Sequence, residues 1–456
     1  MKTPEKPPLL KDLIDSHLEQ ILAAMRNEDM LAALPELVKK YDYWTEFKYK
    51  PLPEGITPHI AWAFREMYSS GQRRAAPVKD NNGIAFKYYL TPEAQRILHF
   101  IDRGTQSYFP INDLRETDDR KRYLLSSLVE EAIASSMIEG AATTRKEARE
   151  MLLSKRIPRK KSEWMVLNNY KAILFIKDNI DKPLSKALLL ELHKILTDNT
   201  FSEEEKDCRG RFRMPVPEDD SIGVYDADGQ LLYQPPDGSR IPHLVDCLID
   251  FANTSNDGNK ASFIHPVVKA IILHFWTGYI HPFADGNGRV ARALFYWFML
   301  KQGYWIFEYI SISRMLLKMS GKYKRAYLYS ELSDNDLNYF LLFNLEVIEH
   351  SITAMVRYIR TREEHQAESR FLFEKFPSIN SRQRDILVNA LKHPCREYTI
   401  AKHSALHGIA YATARQDFLS LAGLGLFIKQ QRGKSFIFIP DKDLYEKLTS
   451  GNKTDT

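Results

Sequence analysis

HPFADGNGRVAR, residues 281–292, puts a histidine, an aspartate, two glycines and two arginines between two strongly apolar stretches. The segment that follows, GRVARALFYWFML (288–300), is apolar all round beyond its first turn, which predicts a buried helix. Its only charges, Arg289 and Arg292, fall at the N-terminus, where the helix macrodipole already places partial positive charge. Two cations at a buried, positive helix end require an anion carrying several charges. Gly286 and Gly288 suit one, because glycine lets the backbone approach a ligand and lets successive N–H groups converge on it. A phosphate chain is the natural occupant of such a helix end. Asp285 would repel phosphate unless a metal lay between them, and one carboxylate plus substrate phosphates is the usual way Mg²⁺ is held. His281 stands just ahead, where a neutral imidazole can take the proton of an attacking hydroxyl.

The rest of the chain is that of an ordinary folded protein. Of 456 residues, 44% are apolar and 27% charged, enough for a sizeable core and for more than one domain. A net charge of +5 is too small to argue for nucleic acid by itself. Cys208, Cys247 and Cys395 are far apart and form no CxxC pair, which argues against a disulfide scaffold or zinc and for a reducing compartment. The N-terminus MKTPEKPPLLKD lacks the apolar segment of a secretory signal, and no apolar run is expected to reach the ~18 residues of a bilayer span. The expectation is a cytoplasmic protein with no membrane partner.

Helical patterns fill residues 1–110, broken by the Pro-rich YKPLPEGITP, and run strongly from about Arg115 to Phe376. Within the second stretch, SIGVYDADGQLLYQPP (221–236) has short apolar runs on either side of an Asp228-Gly229 turn, which predicts a β-hairpin. The basic run KRIPRKK (155–161) reads as a solvated loop, since Pro158 blocks a continuous basic helix.

A second charge is also misplaced. DDRKRYLLSSLVEEAIASSMIEG (118–140) predicts a helix that Gly140 stops at C′. Glu139 is then a carboxylate at a negative helix end, as Arg292 is a cation at a positive one, so each would resolve the other. Ser135 lies one turn before Glu139 on the same face.

These residues resemble the Fic family. Its motif, HPFx(D/N)GNGRxxR, is met by His281, Pro282, Phe283, Asp285, Gly286, Asn287, Gly288, Arg289 and Arg292. The resemblance covers about residues 110–350. It implies a mainly α fold: a helical core with a short β-hairpin flap at 221–236. It also implies transfer of AMP from ATP to a Ser, Thr or Tyr hydroxyl of a target protein, the chain itself included. In that reading His281 is the general base, Asp285 the Mg²⁺ ligand, and Gly286, Asn287 and Gly288 cradle the phosphates. Phe283 belongs to the same ATP site, and Arg289 and Arg292 take the β/γ end. The target docks on the flap by strand addition at Leu231–Tyr233, with Leu232 and Tyr233 covering the nucleotide, and Tyr323 walls the adenine. SSMIEG matches the family's inhibitory motif (S/T)xxxE(G/N) through Ser135, Glu139 and Gly140, which implies an enzyme switched off at rest.

The C-terminal stretch 399–440 carries a helix with Ala414, Phe418 and Leu421 on one face and two strands around a basic tip, Arg432 and Lys434. It resembles a winged helix-turn-helix. From Ser378 to Pro440 there are nine Lys/Arg against three Asp/Glu, which suits a DNA or a protein partner. The expected organisation is thus a helical region (1–110), a Fic domain (111–375) with its inhibitory helix at about 118–140, and a winged-helix domain (376–456). Two other readings stand beside autoinhibited AMP transfer: removal of AMP from a modified target, and a DNA-binding regulator whose core senses nucleotide. The oligomeric state is open, a homo-oligomer included.

Overall fold

The computed structural model describes residues 3–39, 41–107, 118–215, 223–225, 229, 231–254, 263–373, 378–394, 396–432 and 435–450. In chain order the helices are α1 (Leu10–Ala24), α2 (Glu28–Lys39), α3 (Trp44–Phe47), α4 (Pro58–Ser70), α5 (Pro92–Ser107), α6 (Asp118–Ile138) and α7 (Arg145–Ser154). Next come α8 (Lys161–Asp178), α9 (Lys186–Leu196), α10 (Ile241–Asn253), α11 (Pro266–Ile280), α12 (Asn287–Lys301), α13 (Ile312–Lys318), α14 (Ser320–Leu332) and α15 (Asn338–Phe373). The last are α16 (Ser381–Lys392), α17 (Ile400–His407), α18 (Tyr411–Gly423) and α19 (Leu444–Ser450). The strands are β1 (Arg74–Lys79), β2 (Ala85–Tyr88), β3 (Val224–Tyr225), β4 (Leu231–Tyr233), β5 (Tyr398–Thr399), β6 (Phe427–Arg432) and β7 (Ser435–Pro440). The chain is mainly helical with small antiparallel sheets, as the sequence predicts.

The chain forms two compact units: Met1–Phe109 with Glu130–Thr143 and Arg159–Ser351, and Pro110–Val129 with Thr144–Pro158 and Ile352–Thr456. The three consecutive segments expected from sequence do not coincide with them, because residues 1–109 are built into the same unit as the motif. Asp336 explains this. It is buried, and it accepts hydrogen bonds from Tyr41 Oη (2.6 Å) and Arg73 Nη2 (2.7 Å). Arg65, also buried, donates to Tyr339 Oη (2.7 Å), and the Tyr43 and Tyr329 rings stack at 3.7 Å. Buried polar groups need such partners, so the N-terminal helices cannot leave without stranding charge. The β1–β2 hairpin, where the sequence reading expected only helix, turns on Asp80-Asn-Asn-Gly83. Asp80 Oδ1 accepts from the N–H groups of Asn82 and Ile84, and Gly83 takes φ +82°.

At the centre of the first unit α11 packs against α12. Both are buried on almost every side, which is why neither shows an amphipathic stripe. His265 and Pro266 start α11, and Gly286, at φ +86°, is the N-cap of α12. Among the described residues one helix is long and apolar enough to cross a membrane, Asn338–Ile359 within α15 at a mean hydropathy of 1.2, which the sequence reading overlooked. Sixty-one per cent of that window is buried in the protein, with Phe340, Leu341, Leu345 and Ile348 among its core residues, so it reads as a core helix.

In the second unit α16, β5, α17, α18, β6 and β7 follow in order, and the sheet order is β5-β7-β6. Gly408 at φ +62° ends α17. Ala414, Phe418 and Leu421 are fully buried, as their spacing predicts, against Leu426, Phe427 and Phe438. Asp417 fastens the helices: it accepts from Asn380, Arg382 and His403 within 3.1 Å. Arg432 of the basic tip is exposed and pairs with Glu397 at 3.1 Å. Lys434 lies outside the described residues, as does Cys395.

Candidate active site

Helix α11 ends at His281, which takes the left-handed conformation (φ 49°, ψ 60°) that non-glycine residues seldom adopt. Such a backbone persists only where its surroundings over-determine it. Here the last carbonyls of the helix all find donors. Thr277 O accepts from the His281 N–H (3.2 Å), Gly278 O from His281 Nδ1 (3.3 Å), Tyr279 O from Tyr233 Oη (2.9 Å) and Ile280 O from Arg213 Nη2 (3.4 Å). Since Nδ1 meets a carbonyl it carries the proton, and Nε2 keeps its lone pair free. Burial first, then the Arg213 charge, hold the imidazole below its ordinary pKa. Gly278 O, Glu139 and Asp285 pull the other way.

The loop that follows is braced internally. The Asn287 side chain accepts from the Phe283 N–H (2.9 Å) and donates to Phe283 O (2.8 Å). Phe283 is wholly buried and stacks on His193 at 3.9 Å. His193 in turn accepts from the Gly210 N–H at Nδ1 (3.0 Å) and donates from Nε2 to Asp285 O (2.9 Å). Burial pushes its pKa down to about 4, so it stays neutral and keeps that tautomer. Phe283 anchors the loop from beneath, and the Asn287 side chain is engaged by the backbone of the same loop.

Arg289 is likewise turned inward. Nη1 donates to Leu196 O (2.9 Å) at the negative end of α9, and Nη2 to Asp285 Oδ2 (3.1 Å). Asp285 Oδ1 accepts from the Gly286 N–H (2.6 Å), while about half of the Asp285 side chain remains exposed. Among the described residues no group of three or more His, Cys, Asp or Glu could hold a metal. A lone half-exposed carboxylate beside a helix N-terminus instead has the donor set of a Mg²⁺ site completed by substrate phosphates.

Arg292 is buried and meets the C-terminal end of α6 and the residue that follows it. Its Nε donates to Ser135 Oγ (3.0 Å), and its Nη2 donates to Ser135 O (3.0 Å) and Glu139 Oε1 (2.8 Å). Burial works against the guanidinium charge, and Glu139, Tyr323 and Glu131 together outweigh it, leaving the pKa above its ordinary value. A β-carbon at Gly288 would collide with Glu139 Oε1, so only glycine lets that carboxylate approach the start of α12. Gly140 (φ +83°) closes α6, with the Ala141 N–H donating to Ser136 O at 3.0 Å. The helix face is set by Glu131, which the sequence reading missed. It is buried and accepts from Tyr296 Oη (2.7 Å), Ser311 Oγ (2.9 Å), the Ser313 N–H (3.0 Å) and Ser313 Oγ. Glu131, Ser135 and Glu139 are spaced by four, so this anchor aims the other two at Arg292.

The flap hairpin is present: β3 pairs with β4 antiparallel, Val224 opposite Tyr233 and Tyr225 opposite Leu231. Asp228 of the expected turn lies outside the described residues; Gly229 has φ +77°. Leu231 and Tyr225 are exposed and Leu232 is half-buried. Tyr233 packs on Tyr279, ring centroids 5.0 Å apart, and fastens the flap to α11. Tyr323, expected against adenine, is a core residue. It lies among Tyr327, Phe340 and Phe343, with His274 Nε2 2.8 Å from its hydroxyl.

A model of the Fic/DOC family matches residues 183–299. Protein adenylyltransferase fic-1 of Caenorhabditis elegans is 30% identical over 117 residues, 26% of this chain and 21% of that protein. Protein adenylyltransferase Fic of Nematostella vectensis is 25% identical over 118 residues, 25% of this chain and 26% of the relative. The chain thus spans about a quarter or less of the length of these curated relatives. A crystal structure of a Fic family protein from Desulfovibrio desulfuricans G20 superposes with a TM-score of 0.51 at 19% identity, covering 78% of this chain and 98% of that one, a likeness of fold. Residues 183–299 of this chain are thus similar in sequence to a Fic domain, and the fold is similar to that of a Fic family protein.

Proposed function

We propose that the chain is a protein adenylyltransferase held inactive by its own Glu139. The observation that carries this reading is the Glu139 carboxylate, seated on buried Arg292 at the N-terminus of α12, where an anionic ligand would otherwise sit. In the reaction, His281 Nε2 takes the proton of a target Ser, Thr or Tyr hydroxyl. The hydroxyl oxygen bonds to the α-phosphorus of ATP, the bond from that phosphorus to the α,β-bridging oxygen breaks, and pyrophosphate leaves. Backbone N–H groups of Asn287 and Gly288 would receive the phosphates, joined by that of Gly286 once Asp285 Oδ1 releases it. Arg292 would take the far end once Glu139 gives it up. Asp285 would hold Mg²⁺, which when bound neutralises phosphate charge. The exposed edge at Leu231 offers a target segment main-chain pairing.

Arg289 needs only a local change to join, since its exchangeable partner is the half-exposed Asp285. The test is transfer of labelled AMP from ATP, to a target or to the chain itself, by wild type and by Glu139→Gly. Transfer lost with His281→Ala supports the reading; no transfer by Glu139→Gly refutes it.

For the C-terminal module, the element order and the sheet order β5-β7-β6 support a winged helix-turn-helix. Its basic balance supports a duplex DNA partner. Free Cys208 and Cys247 suit a reducing, cytoplasmic setting.

A further inference from the structure

Arg213 stands outside every motif the sequence reading singled out, in the run CRGRFR (208–213). Its N–H donates to Pro282 O (3.0 Å), its Nε to His281 O (2.7 Å), and its Nη2 to Ile280 O (3.4 Å) and to Pro236 O at the exit of the flap. One residue therefore holds three consecutive carbonyls, 280 to 282, at the turn that aims the imidazole, and ties the flap to the same point. A cation suits that place, because the C-terminus of α11 carries partial negative charge. A planar fork also suits it, since acceptors from two chain segments must be met at once.

We infer that Arg213 is a positioning residue for the proposed transfer: it locks the left-handed turn at His281 so that Nε2 faces the incoming hydroxyl, and it sets the flap against that turn. The inference rests on the adenylyltransferase reading. It concerns the rate of the chemical step, because no Arg213 contact touches the phosphate cradle. The charged groups facing His281 are Arg213 on one side and Glu139 and Asp285 on the other, so losing Arg213 removes the cation of the set.

The experiment compares Arg213→Ala and Arg213→Lys, each placed in the Glu139→Gly chain, by initial AMP transfer and by direct titration with ATP. Arg213→Ala should lower kcat on the order of a hundredfold, the scale of an ångström-level misplacement, with ATP affinity within about twofold. Arg213→Lys should recover part of kcat, since it restores the charge without the fork. An unchanged kcat, or kcat, ATP affinity and melting temperature falling together, would overturn the inference. A second readout needs no activity: ¹⁵N shifts of the His281 ring, assigned with His281→Ala. Nδ1 should carry the proton in the parent chain and share it with Nε2 in Arg213→Ala; a tautomer indifferent to Arg213 refutes the role. If Glu139→Gly alone transfers no AMP, the enzymatic reading fails, and the ring tautomer still decides whether Arg213 positions His281.

Discussion

Arg292 Nη2 donates to Glu139 Oε1 at 2.8 Å, and Ser135 occupies Arg292 Nε from the same helix face. The cation is buried and the carboxylate about a quarter exposed, so the pair sits where water can reach one partner only. Removing one member of a buried pair strands the other, which is why the two Arg292 and Glu139 substitutions should not behave alike. Glu139→Gly leaves Arg292 beside a helix N-terminus that can recruit phosphate. Arg292→Ala removes the phosphate ligand together with the partner of Glu139. Arg292→Ala should therefore stay inactive, alone and combined with Glu139→Gly, as read by AMP incorporation. A fast double variant would show that Arg292 does not bind the nucleotide.

His281→Ala should abolish transfer while ATP still binds, because the phosphate cradle lies beyond the histidine. In an active parent chain, kcat should hold its plateau to below the ordinary histidine range, since burial and Arg213 lower the imidazole pKa. A kcat that falls on acidification already above pH ~6.5 would contradict the buried neutral base.

Two buried histidines should cost stability as the solution is acidified, against an opposite and smaller contribution from Glu331, whose carboxyl is pushed up to about 8 by burial. His193 titrates at about 4 and His274 at about 3 in the folded chain, both depressed first by burial. The unfolded chain takes up these protons near pH ~6.5. Between that pH and the folded values the unfolded state binds more protons, so each group costs about 1.4 kcal/mol of stability per pH unit lost. Above pH ~6.5 neither contributes a slope. Melting temperature followed from pH 7.5 to 5 should drop over the lower part of the range, and His274→Gln should flatten the drop.

Asp285→Asn should cut turnover and weaken its dependence on Mg²⁺, with ATP binding in the absence of metal little changed. It also removes the charge opposite Arg289 Nη2, so a loss of melting temperature accompanies it. Undiminished turnover in chelator-treated buffer would show that no metal takes part.

Duplex DNA should bind the intact chain at low salt and release steeply as salt rises, because Lys and Arg displace counterions. A gel shift absent at low salt, or indifferent to salt, assigns the C-terminal module to a protein partner.

The sequence made legible those features whose signal is local. The 281–292 loop, the stop at Gly140, the hairpin around Gly229 and the buried face of Ala414, Phe418 and Leu421 all follow from composition over a few residues. The pairing of Glu139 with Arg292 was also legible, because two charges at the wrong helix ends ask for each other. What escaped are contacts between distant segments. His193, Arg213 and Glu131 act through partners 17 to 182 residues away, and no local pattern distinguishes them from ordinary surface polar residues. The bracing of the loop by the Asn287 side chain and the burial of Phe283 on His193 carry no local signal either, because both depend on the folded loop. The β1–β2 hairpin did carry a signal, the Asp80-Asn-Asn-Gly83 turn, lost among neighbouring helical patterns.

The central claim is that Glu139 competes with the nucleotide for Arg292. The direct measurement is the initial rate of AMP incorporation at saturating ATP and Mg²⁺ for wild type, Glu139→Gly and Glu139→Asp. Glu139→Gly should be faster by on the order of a hundredfold, the scale of a few-kcal/mol bias between two states. Glu139→Asp should fall between, because the shorter side chain reaches Arg292 poorly. A Glu139→Gly enzyme no faster than wild type would contradict the account. If that variant instead loses the ability to strip AMP from a modified target, Glu139 is a catalytic residue of the reverse reaction and not an inhibitor.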